Sequence, residues 1–138
     1  MRCWSGGGRQ LGLASRLEPR ENAQRGNAWI CGHNAHAEYG VLIRHLPDWP
    51  PAGVIDTLRL ARATYKNLPS YSLDALISQP DLTHASAQRH RATFDAYATA
   101  QLLIAMAGQY DTWEQLTAVA VPPNMPGAPE PEEEQTLW

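Results

Sequence analysis

The chain has 138 residues, 43% apolar and 18% charged, which fits one globular domain long enough to bury a core without disulfides or a structural metal. Two cysteines, Cys3 and Cys31, are too few for a secreted disulfide framework and lack the paired spacing of a zinc site, so both are expected as reduced thiols. The formal net charge of -3 hides an asymmetry, because Glu130, Glu132, Glu133 and Glu134 crowd the end of the chain, and no block of like charge marks a basic patch for nucleic acid.

The longest apolar run, Leu102 to Ala107, is far short of a membrane span, and Met1 to Gly6 contains no apolar signal core. A cytoplasmic protein with no membrane partner is the expectation. Residues 1–27 read as a flexible leader, glycine-rich and without an apolar period. Its triplet Gly6-Gly7-Gly8 runs into Arg9-Gln10 rather than Gly-Lys-Ser/Thr, so it is no phosphate loop.

The folded part is expected over residues 28–120. Ala28 to Cys31 is a short apolar run stopped by Gly32, suited to a buried strand. From His36 to Leu46 the apolar positions Ala37, Val41, Leu42 and Leu46 recur at helical spacing, and Pro47 ends the run. Trp49-Pro50-Pro51 is a rigid connector. Gly53 to Thr57 predicts a second short strand running into a helix from Leu58 to about Tyr65, with Asp56 or Thr57 as its N-cap. After the turn Pro69 to Ser72, Ser72 caps a two-turn helix through Leu73, Leu76 and Ile77 that stops before Pro80. The strongest helix runs from Ala92 to Gln109, with Ala96, Thr99, Leu103 and Met106 along one side, and Thr112 to Ala118 forms a last short one. Pro122, Pro123, Pro126, Pro129 and Pro131 followed by the acidic run make residues 121–138 a tail or linker. Strands alternating with helices predict an α/β protein with a short sheet.

Two clusters of polar residues are out of place in a purely structural reading. Gly32-His33-Asn34-Ala35-His36-Ala37-Glu38 lies where a buried strand opens into a helix, the place beyond the strand ends where α/β folds hold ligands. Glu38 in the first helical turn also has a simple structural reading, as an acid favoured by the helix dipole. His90-Arg91-Ala92-Thr93-Phe94-Asp95 opens the long helix. On a continuous helix His90 and Asp95 stand about 140° apart, so they share a site if His90 precedes the helix in a loop. Asp95, on an apolar-rich helix, is either a surface acid or a buried carboxylate that needs a cation. His33, His36 and His45 lack a fourth partner for zinc. Trp29, Trp49 and Trp113 sit beside apolar residues or proline and read as packing rather than base-stacking platforms.

Together these clusters carry a resemblance. His33-Asn34-Ala35-His36-Ala37-Glu38 is similar to the second motif, His-Asn-x-x-Phe-Asp, of the DnaQ-like (DEDDh) 3′–5′ exonucleases. His90-Arg91-Ala92-Thr93-Phe94-Asp95-Ala96 is similar to their third motif, His-Arg-Ala-x-x-Asp-Ala. Val54 to Arg62 and Leu68 to Leu76 resemble the connecting segment, so the likeness spans roughly residues 28–108. It implies an α/β, RNase H-like exonuclease fold, here with an N-terminally incomplete sheet and flanking helices. It implies two divalent ions, Mg²⁺ or Mn²⁺, stabilising the attacking and leaving oxygens of a phosphodiester. By the same resemblance Asp95 is a metal ligand, Glu38 a ligand directly or through water, His90 the general base, and His33 and Asn34 substrate-binding residues. The substrate is a nucleic-acid 3′ end, single-stranded DNA being the expected form, although no motif reads a 2′-hydroxyl.

Three departures stand beside it: Glu38 replaces an aspartate, Ala37 replaces an aromatic, and the first motif, Asp-x-Glu, does not occur in residues 1–29. The alternative is therefore a non-catalytic remnant associated with nucleic acid, a polymerase or a clamp. Glu134 to Trp138 resembles peptides that dock on the bacterial sliding clamp, with Leu137 and Trp138 as the docking pair.

Overall fold

A computed structural model describes residues 27–79 and 92–130 and the backbone of Arg2–Cys3. The elements run β1 (Arg2–Cys3), β2 (Trp29–Gly32), α1 (Ala35–His45), β3 (Gly53–Asp56), α2 (Thr57–Thr64), α3 (Leu73–Ile77), α4 (Ala92–Ala107) and α5 (Trp113–Ala120). The three strands form one parallel sheet in the order β1-β2-β3. Its register sets Cys3 opposite Cys31, Cys31 opposite Ile55, and Gly32 opposite Asp56.

All of β3 and most of β2 are buried, as parallel strands covered on both faces must be. Alternation along the strands divides the core. Cys31 and Ile55 pack with Leu60, Leu76, Leu102, Met106 and Leu116 from α2 to α5, whereas Val54 packs on the other face with Ala35 and Met125. Cys31 is fully buried.

Local signals place the helices where the sequence predicts them. Asp56 caps α2 by accepting from Leu58 N–H at 2.9 Å, Ser72 caps α3 through Ala75 N–H, and Thr112 caps α5 through Gln115 N–H. The buried faces differ from expectation in two places. In α1 the fully buried residue is Ala35, while Ala37 is exposed, because the helix starts directly after the strand-end turn and presses its first residue onto Val54. In α4 the buried set is Ala98, Thr99, Leu102, Leu103 and Met106, with Ala96 only half-buried. That helix packs against α2, α3, β1 and β2 at once, so it buries a wide arc rather than one stripe.

Two segments do more than composition suggests. Arg2–Cys3, within the stretch read as leader, pairs with β2 as a strand. Residues 121–128, within the stretch read as tail, fold back onto the sheet: Val54 N–H donates to Pro126 O at 3.0 Å, and Val121 and Met125 are buried. Gly127 adopts φ 82°, and a Cβ there would fall on the Trp29 ring and 3.0 Å from the Gly53 Cα. Trp29 also meets Trp113 edge-on, with centroids 5.0 Å apart and planes at 87°, the packing role expected of it. No helix among the described residues is long and apolar enough to cross a membrane.

Candidate functional site

Parallel pairing brings the carboxyl ends of β2 and β3 side by side, and the first residues beyond them form the site. Asn34 lies in the left-handed region, φ 64° and ψ 52°, which turns the chain sharply from β2 into α1. Its N–H donates to Asp56 Oδ1 at 2.9 Å, the same oxygen that accepts the α2 cap bond from Leu58. One buried carboxylate, 4% exposed, therefore ties the α1 turn to the start of α2.

His33 is the second tie. Its Nε2–H donates to the Tyr71 carbonyl at 2.8 Å, and its Nδ1 lies 2.9 Å from Thr57 Oγ1. The Thr57 hydroxyl also reaches Gly32 O at 3.2 Å. Burial pushes the His33 pKa below its ordinary 6.5, and the positive charge of Arg62 adds to this; the Tyr71 hydrogen bond and the charge of Asp56 oppose it. With neutral His33, Nδ1 is an acceptor and receives a hydrogen bond from the Thr57 hydroxyl. Both ring nitrogens are thus engaged inside the protein, whereas the Asn34 side chain is exposed at the rim.

Glu38 extends from the first turn of α1 back over the strand end. Its Oε2 is closed off from solvent and occupies the space that a Cβ on Gly32 would fill. Asp95 lies half-buried in the first turn of α4, the helix that covers β1 and β2. Glu38, His33 and Asn34 are therefore gathered at the strand ends with Asp56 and Thr57, while Asp95 stands on a separate helix. His90 lies outside the described residues, as do Leu137 and Trp138. Asp56 and Thr57 are site residues that the sequence reading took only as helix caps. The signal was present in Asp-Thr at a strand-to-helix junction, but the bonds to Asn34 and His33 depend on the strand pairing.

The sequence profile of the exonuclease family RNase_T matches residues 17–103, a span that includes both Glu38 and Asp95. The chain belongs to the exonuclease family. Its mixed α/β architecture, short parallel sheet and flanking helices are those of an RNase H-like exonuclease fold. No curated protein and no solved structure is significantly similar to it. Exonucleases of this family act on nucleic acids and generally use divalent metals. Among the described residues, however, no three His, Cys, Asp or Glu side chains come together to hold an ion. The described residues thus do not by themselves complete a two-ion exonuclease centre.

Proposed function

We propose that this exonuclease-family chain hydrolyses nucleic-acid 3′ ends in the 3′–5′ direction, at the carboxyl ends of β2 and β3. The observation that carries the reading is the family match across both carboxylate positions, with Glu38 folded over the strand end that the parallel sheet exposes. Glu38 and Asp95 are the carboxylates offered to Mg²⁺ or Mn²⁺, whose role when bound would be to offset charge building on the phosphodiester. His90 is the proton acceptor for the attacking water, a task suited to imidazole near neutral pH. The exposed Asn34 amide contacts the terminal nucleotide, and His33 acts through position, by fixing the turn that presents Asn34.

The test is release of labelled 3′-terminal nucleotides from single-stranded DNA, with Mg²⁺ or Mn²⁺ and with chelator. Beside the parent run Glu38→Ala, Asp95→Ala and His90→Ala. Metal-dependent release that falls about 10²-fold or more in each variant is expected. A soluble, folded parent that releases nothing overturns the hydrolytic reading. A second reading, a non-catalytic nucleic-acid-binding module, is favoured by the lack of a three-ligand cluster among the described residues. It predicts oligonucleotide binding without release.

A further inference from the structure

Basic residues are unevenly placed on the described surface. In residues 27–79 and 92–130 the sequence has eight acids but only four basic residues, Arg44, Arg59, Arg62 and Lys66. Three of these lie on α2 or just after it. The helix buries Thr57, Leu60 and Ala61, which sends Arg59 and Arg62 to the outer face, about 60° apart around the axis and about 4.5 Å apart along it. Lys66 follows directly after the Tyr65 cap and is exposed, as both arginines are.

The helix dipole accounts for Arg62, in the last turn of α2, but not for Arg59. Arg59 is in the first turn of α2, where the helix dipole disfavours a cation, and the acid at that end, the Asp56 cap, is buried and bonded to the N–H groups of Asn34 and Leu58. The helix that carries Arg59 and Arg62 begins at the site itself. Thr57, the first residue of α2, bonds His33, and Arg62 is close enough for its charge to act on the His33 ring.

We infer that Arg59, Arg62 and Lys66 form a phosphate-binding track that leads away from the strand-end site and holds the backbone of a single-stranded nucleic acid behind its 3′ end. The inference rests on the nucleic-acid reading above and adds to it a surface and a mode of contact. Guanidinium groups suit phosphate because they offer paired donors, and contacts of this kind give affinity without sequence preference. No basic block is visible in the sequence, since the three residues are spread over eight positions with Leu60, Ala61, Ala63, Thr64 and Tyr65 between them; helical winding brings Arg59 and Arg62 to one face, and Lys66 follows, exposed, directly after the cap.

The test is binding of a fluorescent oligothymidylate of about 20 nucleotides to the full chain over a range of NaCl concentrations, with divalent metal omitted. The variants are Arg59→Gln/Arg62→Gln/Lys66→Gln and, as a control for lost charge elsewhere, Arg44→Gln. Each phosphate contact on a single strand contributes about 0.7 to the slope of log affinity against log salt. The triple variant should lose about 2 from that slope and bind roughly tenfold to hundredfold more weakly at about 0.1 M salt, while Arg44→Gln keeps the parent slope. A triple variant with the parent slope and affinity overturns the track while leaving the nucleic-acid reading intact. A parent chain that does not bind the oligonucleotide overturns both.

Discussion

Between Tyr71 O and Thr57 Oγ1, the His33 ring has one nitrogen that must donate and one that changes role with its proton. When neutral it receives the Thr57 hydroxyl; when charged it donates to Thr57 Oγ1, and the hydroxyl turns to Gly32 O. Burial holds the folded pKa below the ordinary 6.5, so the folded state binds fewer protons than the unfolded chain between those two values. Stability from this group is therefore complete above about pH 6.5 and is lost as pH falls through the lowered folded value. Thermal melts at pH 7.5 and pH 5 should show a smaller drop for His33→Gln than for the parent; equal drops would show that the ring contributes nothing to the dependence. Gly32 makes a steric argument of the same local kind. A methyl group there collides with the Glu38 carboxylate and stands 3.2 Å from the Ala35 Cβ. Gly32→Ala is expected to cost about 1–3 kcal/mol by overpacking. Adding Glu38→Ala removes the colliding group, so the double variant should recover part of that loss in urea unfolding. Strictly additive losses would place the Glu38 carboxylate elsewhere.

At the level of elements, the helices are legible in the sequence because their signals are short-range. Ser72 and Thr112 bond N–H groups three residues on, Asp56 bonds one two residues on, and each lies just before its helix. The faces those helices bury are less legible. Ala35 is buried by the turn at Asn34, and Ala96 is displaced from the α4 core by the number of elements packed around that helix. The site follows the same division. Glu38 and Asp95 stand out by residue type and spacing, but the second use of Asp56, as acceptor for Asn34 N–H 22 positions earlier, requires β2 and β3 to be paired in register. Asp56→Ala should therefore lose more than an ordinary cap. About 1 kcal/mol is expected from the cap and about 1 kcal/mol or more from the unpaired Asn34 N–H, measured as a shift in the urea midpoint. Asp56→Asn keeps an acceptor oxygen and should retain about half of that stability. A loss no larger than about 0.5 kcal/mol for Asp56→Ala would mean that the α1 turn holds without it.

For the whole molecule, the sheet has two edges, and the way the β3 edge is closed explains why residues 121–128 belong to the fold. A parallel sheet leaves the outer N–H groups of its last strand facing away from the ladder, and such an edge invites pairing with another chain. Here Pro126 O accepts from Val54 N–H, Met125 joins Val54 and Ala35 beneath it, and Gly127 fits between the Trp29 ring and Gly53. Proline-rich composition hides this role, since it signals the lack of a regular helix or strand but says nothing about where the chain docks. A chain ending at Ala120 should lose the burial of Val121 and Met125, about 1.5–3 kcal/mol for each side chain fully buried, and should bare the β3 edge. Light scattering and size-exclusion chromatography should then show self-association that rises with concentration, together with a red shift in tryptophan emission as Trp29 is uncovered. A chain ending at Glu130 retains every one of these contacts and should behave as the parent does. If the Ala120 truncation stays monodisperse with unchanged emission, the edge is protected by something other than residues 121–128, and the strap is an accessory to the fold rather than one of its walls.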